Sequence, residues 1–311
     1  MALHRNQLPQ LEGDLFLTYT GMETDLLFTQ GVDLPGFASF PLLETESGQA
    51  LLRSYLENLI DVGKACGAGV ILESATWVAN RDRGASIGYT PDMLKARNAQ
   101  SIALMAEVRT AKGDVPTVLS ANLGPRTDAY APTEQMTSDE AEVYHAEQIE
   151  TLAQTDVDMI TGYTVAYIQE AIGMVRAARR FELPIVIAFT VETDGHLPTG
   201  TRLAVAIQAV DQATDEYASY FMINCAHPDH FATTLKGAGW MHRLRGIVAN
   251  ASRCSHADLD EATELDAGNP RELGQQLAVL YKTHPSISIL GGCCGTDMRH
   301  MSEIAQAVRS G

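Results

Sequence analysis

Short apolar runs alternate with longer stretches of helical period along the whole chain. A short apolar or β-branched run bounded by turn-forming residues reads as a buried strand, and apolar recurrence at i, i+3 and i+4 reads as a helix packed on it. The predicted strands are Leu15 to Thr20, Gly69 to Ser74, Pro116 to Ala121, Asp158 to Thr161, Pro184 to Thr190, Tyr220 to Asn224, Arg245 to Ala249, and Ser286 to Leu290. The predicted helices cover about Gly48 to Cys66, Pro91 to Ala111, Ser138 to Thr155, Ala166 to Phe181, Thr201 to Thr214, His230 to Lys236, Pro270 to Thr283, and Met298 to Val308. Pro91 behind Thr90 and Pro270 behind Asn269 suit the first helical position after a polar cap.

Strict alternation of strand and helix implies parallel strands joined by right-handed crossovers, and eight such units close into an α/β fold, the (β/α)8 TIM barrel. No low-complexity linker divides the chain, so one domain over residues 1–311 is expected. An open doubly wound sheet is the alternative. Against it, no Gly-x-Gly-x-x-Gly follows the first strand.

Composition removes several classes. With 45% hydrophobic and 20% charged residues the chain has the balance of a globular protein rather than a disordered or fibrous one. Its net charge of -17 would repel a phosphate backbone or an anionic lipid surface, so neither nucleic acid nor membrane is an expected partner. The first residues lack a signal-peptide core, and no apolar run reaches membrane-spanning length. Five Cys, two of them adjacent, do not form a secreted disulfide framework and point to free thiols or metal ligands in a reducing, cytoplasmic setting.

The strongest local signal is Gly291-Gly292-Cys293-Cys294-Gly295-Thr296, directly after the last strand. Flanking glycines let the backbone turn sharply, so neighbouring thiols converge. A third thiol, Cys225, follows the sixth strand, and in a barrel both strands open on the face where catalytic residues collect. Three thiolates with one open position match catalytic Zn2+, whose fourth ligand here is best a substrate thiol. A buried pair of small residues, or a redox dithiol, is the competing explanation of Cys293 and Cys294. Adjacent Cys do not easily bond each other, because their Cα spacing falls short of disulfide range. Cys66 and Cys254 have no partner at ligand spacing and are expected to pack. Glu192 and Asp194 read as a turn before Gly195 rather than as a catalytic pair, and His227 as a ligand-orienting residue or a helix cap.

Ile223-Asn224-Cys225 together with Leu290 to Thr296 and Arg299-His300-Met301 resembles the zinc-dependent homocysteine S-methyltransferases, the family of betaine-homocysteine methyltransferase and the homocysteine module of methionine synthase. Weaker matches run in the same order, including Asn122-Leu123-Gly124-Pro125, Tyr144-His145 with Gln148, and Val248-Ala249-Asn250-Ala251. The resemblance implies a barrel holding zinc through Cys225, Cys293 and Cys294. It also implies methyl transfer from an activated donor to a zinc-bound thiolate, homocysteine giving methionine. Gly21, Glu23, Thr24, Thr76, Trp77, Tyr163 and Asn224 are the expected substrate contacts, with Trp77, Tyr89, Tyr163 and Tyr167 as aromatic surround for an onium donor.

Two positions depart from the family pattern. Tyr19 stands where an acid is usual before a Gly-Gly turn, and Tyr163 stands where a Glu usually grips the homocysteine amino group. Glu23 or Glu73 are the candidate replacements. A different thiol acceptor, demethylation of an onium compound, or a non-catalytic zinc- or thiol-binding barrel are the alternatives this leaves.

Overall fold

The computed structural model describes residues 1–113, 115–237 and 239–310. Eight parallel strands close a barrel in chain order: β1 (Phe16–Thr18), β2 (Gly69–Glu73), β3 (Thr117–Leu123), β4 (Met159–Val165), β5 (Ile185–Phe189), β6 (Tyr220–Asn224), β7 (Leu244–Ala249) and β8 (Ile289–Gly292). β1 closes on β8 in the register Phe16 to Ile289. The protein is a single (β/α)8 TIM barrel, and the strands are buried almost throughout because both faces are covered.

Alternation along each strand separates two cores. In β5, Ile185, Ile187 and Phe189 face the helix layer, while Val186 and Ala188 face the barrel interior with Phe16, Ile71, Val118, Met159, Tyr220, Val248 and Ile289. At the N-terminal end of the strands, buried Asp158 accepts from the Leu3 and His4 N–H groups at 2.7 and 2.8 Å and pairs with Arg109 at 2.6 Å. The N-terminal segment thereby plugs the face opposite the chemistry.

The main helices start where caps foretold. Thr90 accepts from Met93 N and Asn269 from Arg271 N and Glu272 N, opening Pro91–Lys112 and Pro270–Thr283. Three readings need correction. β3 and β4 run two and four residues past their predicted ends, so Asn122 and Tyr163 belong to strands rather than to the loops after them. Gly162, inside β4, is a close-approach glycine: a Cβ there would sit 2.7 Å from Met174 Sδ. The helix expected over His230 to Lys236 is replaced by Pro228–Phe231 and a 3-10 turn, Ala232–Thr234, because His227 caps and Pro228 starts the turn earlier. Short helices Arg81–Ser86 and His256–Asp260, in the loops after β2 and β7, were not foreseen. Among the described residues no helix is long and apolar enough to cross a membrane.

Candidate metal centre and substrate cavity

β7 carries the ladder that brings the cysteines together. Cys225 N donates to Val248 O at 3.0 Å and Cys293 N to Ala249 O at 2.7 Å, which seats the residues following β6 and β8 on either side of one strand. The sulfurs of Cys225, Cys293 and Cys294 all lie within 4.8 Å of one another, with Cys225 and Cys294 3.7 Å apart. Cys225 and Cys293 are joined as a disulfide, their Cα atoms 5.3 Å apart, so two of the three expected free thiols form an oxidised pair here. The physical reason is the convergence itself: spacing that lets three sulfurs share one cation also lets two of them bond. Cys293 and Cys294 do not bond each other, as their adjacency requires. Reduced, the trio is a soft donor set opening onto a cavity, which fits zinc with a fourth position free. Cys66 is half-buried at a helix end, while Cys254 is exposed rather than packed. Burial, with the charge of Glu23 adding to it, pushes the Cys294 thiol up to about 12.

Backbone strain collects at this mouth. Tyr19, Thr164 and Cys225 hold left-handed φ values of 43°, 60° and 53° with side chains attached. Asn224 secures one of them, accepting from Thr164 N at 2.9 Å and donating to Thr164 Oγ1 at 2.9 Å. Gly21 and Thr24 line the cavity and brace the cysteine turn: Gly21 N donates to Thr296 Oγ1, and Thr24 Oγ1 accepts from Gly295 N, each at 3.0 Å. A Cβ on Gly21 would lie 2.8 Å from Thr296 O and closer still to Cys293 O, so glycine is required.

His256 escaped the sequence reading. Its Nε2 lies 2.6 Å from Cys225 O, its Nδ1 3.1 Å from a Glu192 oxygen, and its ring stacks on Tyr130 at 4.0 Å. The Glu192 turn forms as expected, with Gly195 N donating to Glu192 O, yet the carboxylate is spent on His256. No spacing in the sequence links positions so far apart. His227 caps its helix, accepting from Asp229 N, and burial lowers it to about 4.

Beside the cysteines lies a cavity of about 440 Å³. Tyr19, Tyr163, Trp77, Tyr130, Phe28 and Phe37 form its aromatic wall. Tyr89 and Tyr167 do not line it; Tyr89 packs on Phe40, and the Tyr167 hydroxyl accepts from Met136 N. Thr76 is likewise turned away, its hydroxyl donating to Asn122 O at 2.9 Å. Tyr19 and Tyr163 each meet a carboxylate. Tyr19 OH donates to Glu23, whose other oxygen accepts from Ser39 at 2.8 Å, and Tyr163 OH donates to Glu73 at 3.2 Å. Burial raises both acids, Glu73 to about 8. Asn122 Oδ1, Asn250 Oδ1 and Arg83 Nη1 are buried without a hydrogen-bond partner among the described residues, and all three residues line the cavity. The thiols and His256 come from the β6 to β8 half of the chain, whereas Tyr19, Glu23, Trp77, Arg83 and Tyr163 come from the β1 to β4 half.

Comparison with known proteins places this geometry. The oxidised form of the homocysteine methyltransferase MmuM from Escherichia coli superposes with a TM-score of 0.75 at 17% identity, covering 96% of this chain and 99% of that one. Its metallated form gives 0.72 at 18% identity, covering 96% of each chain. No curated protein sequence matches the chain. The homocysteine S-methyltransferase profile matches residues 20–308, and the chain belongs to that family.

Proposed function

We propose that this S-methyltransferase is zinc-dependent and transfers a methyl group from an onium donor to a substrate thiol, with homocysteine, giving methionine, the first acceptor to test. The observation that carries the reading is the convergence of Cys225, Cys293 and Cys294 on one point at the edge of the cavity. Zinc bound to the reduced trio would hold the acceptor sulfur as a nucleophilic thiolate at neutral pH. The chain's own residues do the rest. Trp77, Tyr19 and Tyr130 offer aromatic surface to a cationic methyl carrier, and the apolar wall keeps water from competing for the methyl group. The bond broken joins methyl to the donor heteroatom, the bond formed joins it to sulfur, and no general base is needed once the thiol is ionised. A reducing compartment such as the cytoplasm suits a site whose donor set is lost on oxidation.

The test is a zinc assay on reduced protein, comparing wild type with Cys225→Ser and Cys294→Ser, followed by methyl transfer to homocysteine. About one zinc per chain, lost in both variants, is expected of a three-thiolate site. Full zinc retention in either variant removes the reading. A second reading, a thiol acceptor other than homocysteine, is favoured by one observation: Glu23 and Glu73 already accept tyrosine hydroxyls.

A further inference from the structure

Arg83 is a half-buried cation that forms no ion pair among the described residues. It sits on the short helix Arg81–Ser86, lines the cavity, and places its guanidinium carbon 4.6 Å from the Trp77 ring centroid. Its Nη1 has no hydrogen-bond partner, and among the described residues its guanidinium makes no ion pair; Asp128 is near enough to act on it electrostatically but does not pair with it. Its neighbours Arg81 and Arg126 both reach carboxylates, at Glu147 and Asp82. Trp77, beneath Arg83, donates through Nε1 to Tyr163 O, so the guanidinium stands on the same wall as the tyrosine facing the cysteines.

A guanidinium with an unused N–H on the aromatic wall of a cavity calls for a planar anion. We propose that Arg83 is a specificity-determining residue that binds the carboxylate of the thiol acceptor, so that the acceptor class is the mercapto acids, with the α-amino group secondary. This rests on the methyl-transfer reading for which substrate is the acceptor, but recognition of the carboxylate stands on Arg83 alone. The opposite handle is weaker at the two acids expected to hold an ammonium: Glu23 and Glu73 are already engaged by Tyr19, Ser39 and Tyr163.

Two truncated thioethers separate the handles without needing metal or turnover. Full-length protein carrying Trp240→Phe keeps Trp77 as its one indole, since the chain has two Trp, and its emission reports the Arg83 face. Titration with 4-(methylthio)butanoate, which keeps the carboxylate, is compared with 3-(methylthio)propylamine, which keeps the amine. Arg83→Met should weaken butanoate binding roughly 10- to 100-fold, the loss expected of a charge-assisted pair, and leave the amine's binding unchanged. Arg83→Lys should restore part of it. Equal weakening of both ligands, or none for the butanoate, overturns the proposal, because a merely structural Arg83 does not distinguish them. With reduced, zinc-loaded enzyme, Arg83→Met should raise KM for 4-mercaptobutanoate, and a rise confined to a carboxylate-bearing donor overturns the assignment to the acceptor. Arg83-dependent butanoate binding without methyl transfer to any thiol would uphold carboxylate recognition while removing the catalytic reading.

Discussion

Glu73 points into the barrel where ionisation is costly. Its folded pKa of about 8 lies above the ordinary carboxylate value, because burial outweighs the hydroxyls around it. The folded state therefore holds a proton that the unfolded chain has lost, and stability falls as pH rises from about 4.5 through about 8. Glu73→Gln should match wild type near pH 5 and be more stable above pH 8.5, by on the order of a few kcal/mol, in paired denaturant melts. His256 gives a second prediction at this scale. By holding the carbonyl of Cys225 it fixes a proposed zinc ligand whose backbone sits in the left-handed region. His256→Ala should lower zinc affinity about 10- to 100-fold in chelator competition while the far-UV spectrum is unchanged. Such residues also mark what was legible. Cys225, Cys293 and Cys294 could be found because each follows a recognisable strand, and two of them sit among glycines. His256 and Arg83 could not, since both lie on short helices without apolar periodicity, and only the folded loops bring them to the site.

At the scale of elements, the turn after β8 is held by the turn after β1. Gly21, Thr24, Gly295 and Thr296 form one hydrogen-bonded clasp, with no space for a Cβ at Gly21. Gly21→Ala should push the cysteine turn outward, lowering zinc affinity more than it lowers the melting temperature, as chelator competition and calorimetry on the same sample would show. Strand boundaries were legible where flanking residues could not continue a strand, as at β6, which spans the predicted Tyr220 to Asn224. They were misread where glycine served packing. Gly162, Gly291 and Gly292 look like turn residues, yet lie inside β4 and β8 because neighbouring atoms crowd the space a Cβ would need. That misreading moved Tyr163 from the barrel interior to a loop, and with it the encounter with Glu73.

For the molecule as a whole, the Cys225 to Cys293 link spans 68 residues and bridges the ends of β6 and β8 across β7. Zinc on the reduced trio would tie the same elements, so either cross-link should stabilise the barrel relative to reduced, metal-free protein. Loop-closure arguments put the disulfide's share at up to about 4 kcal/mol, and saturating metal at roughly 100 times its Kd adds about 2.7 kcal/mol. Calorimetry of oxidised, reduced and zinc-loaded samples should therefore place the reduced apo form lowest, and oxidised protein should take up no zinc until reductant is added. The net charge of -17 acts at this scale too, with Asp128, Asp260, Glu264 and Asp266 lining the cavity. Raising salt from about 50 to about 500 mM should lower kcat/KM for a cationic donor several-fold, by screening its approach. The three clustered thiols come from the β6 to β8 half of the chain, while the aromatic wall of the cavity and Arg83 come from the β1 to β4 half. On the proposed reading, exchanging loops of the first four βα units between relatives would alter the aromatic wall and Arg83 while leaving the three thiols in place, so that a new acceptor becomes accessible without rebuilding the cluster proposed to activate it.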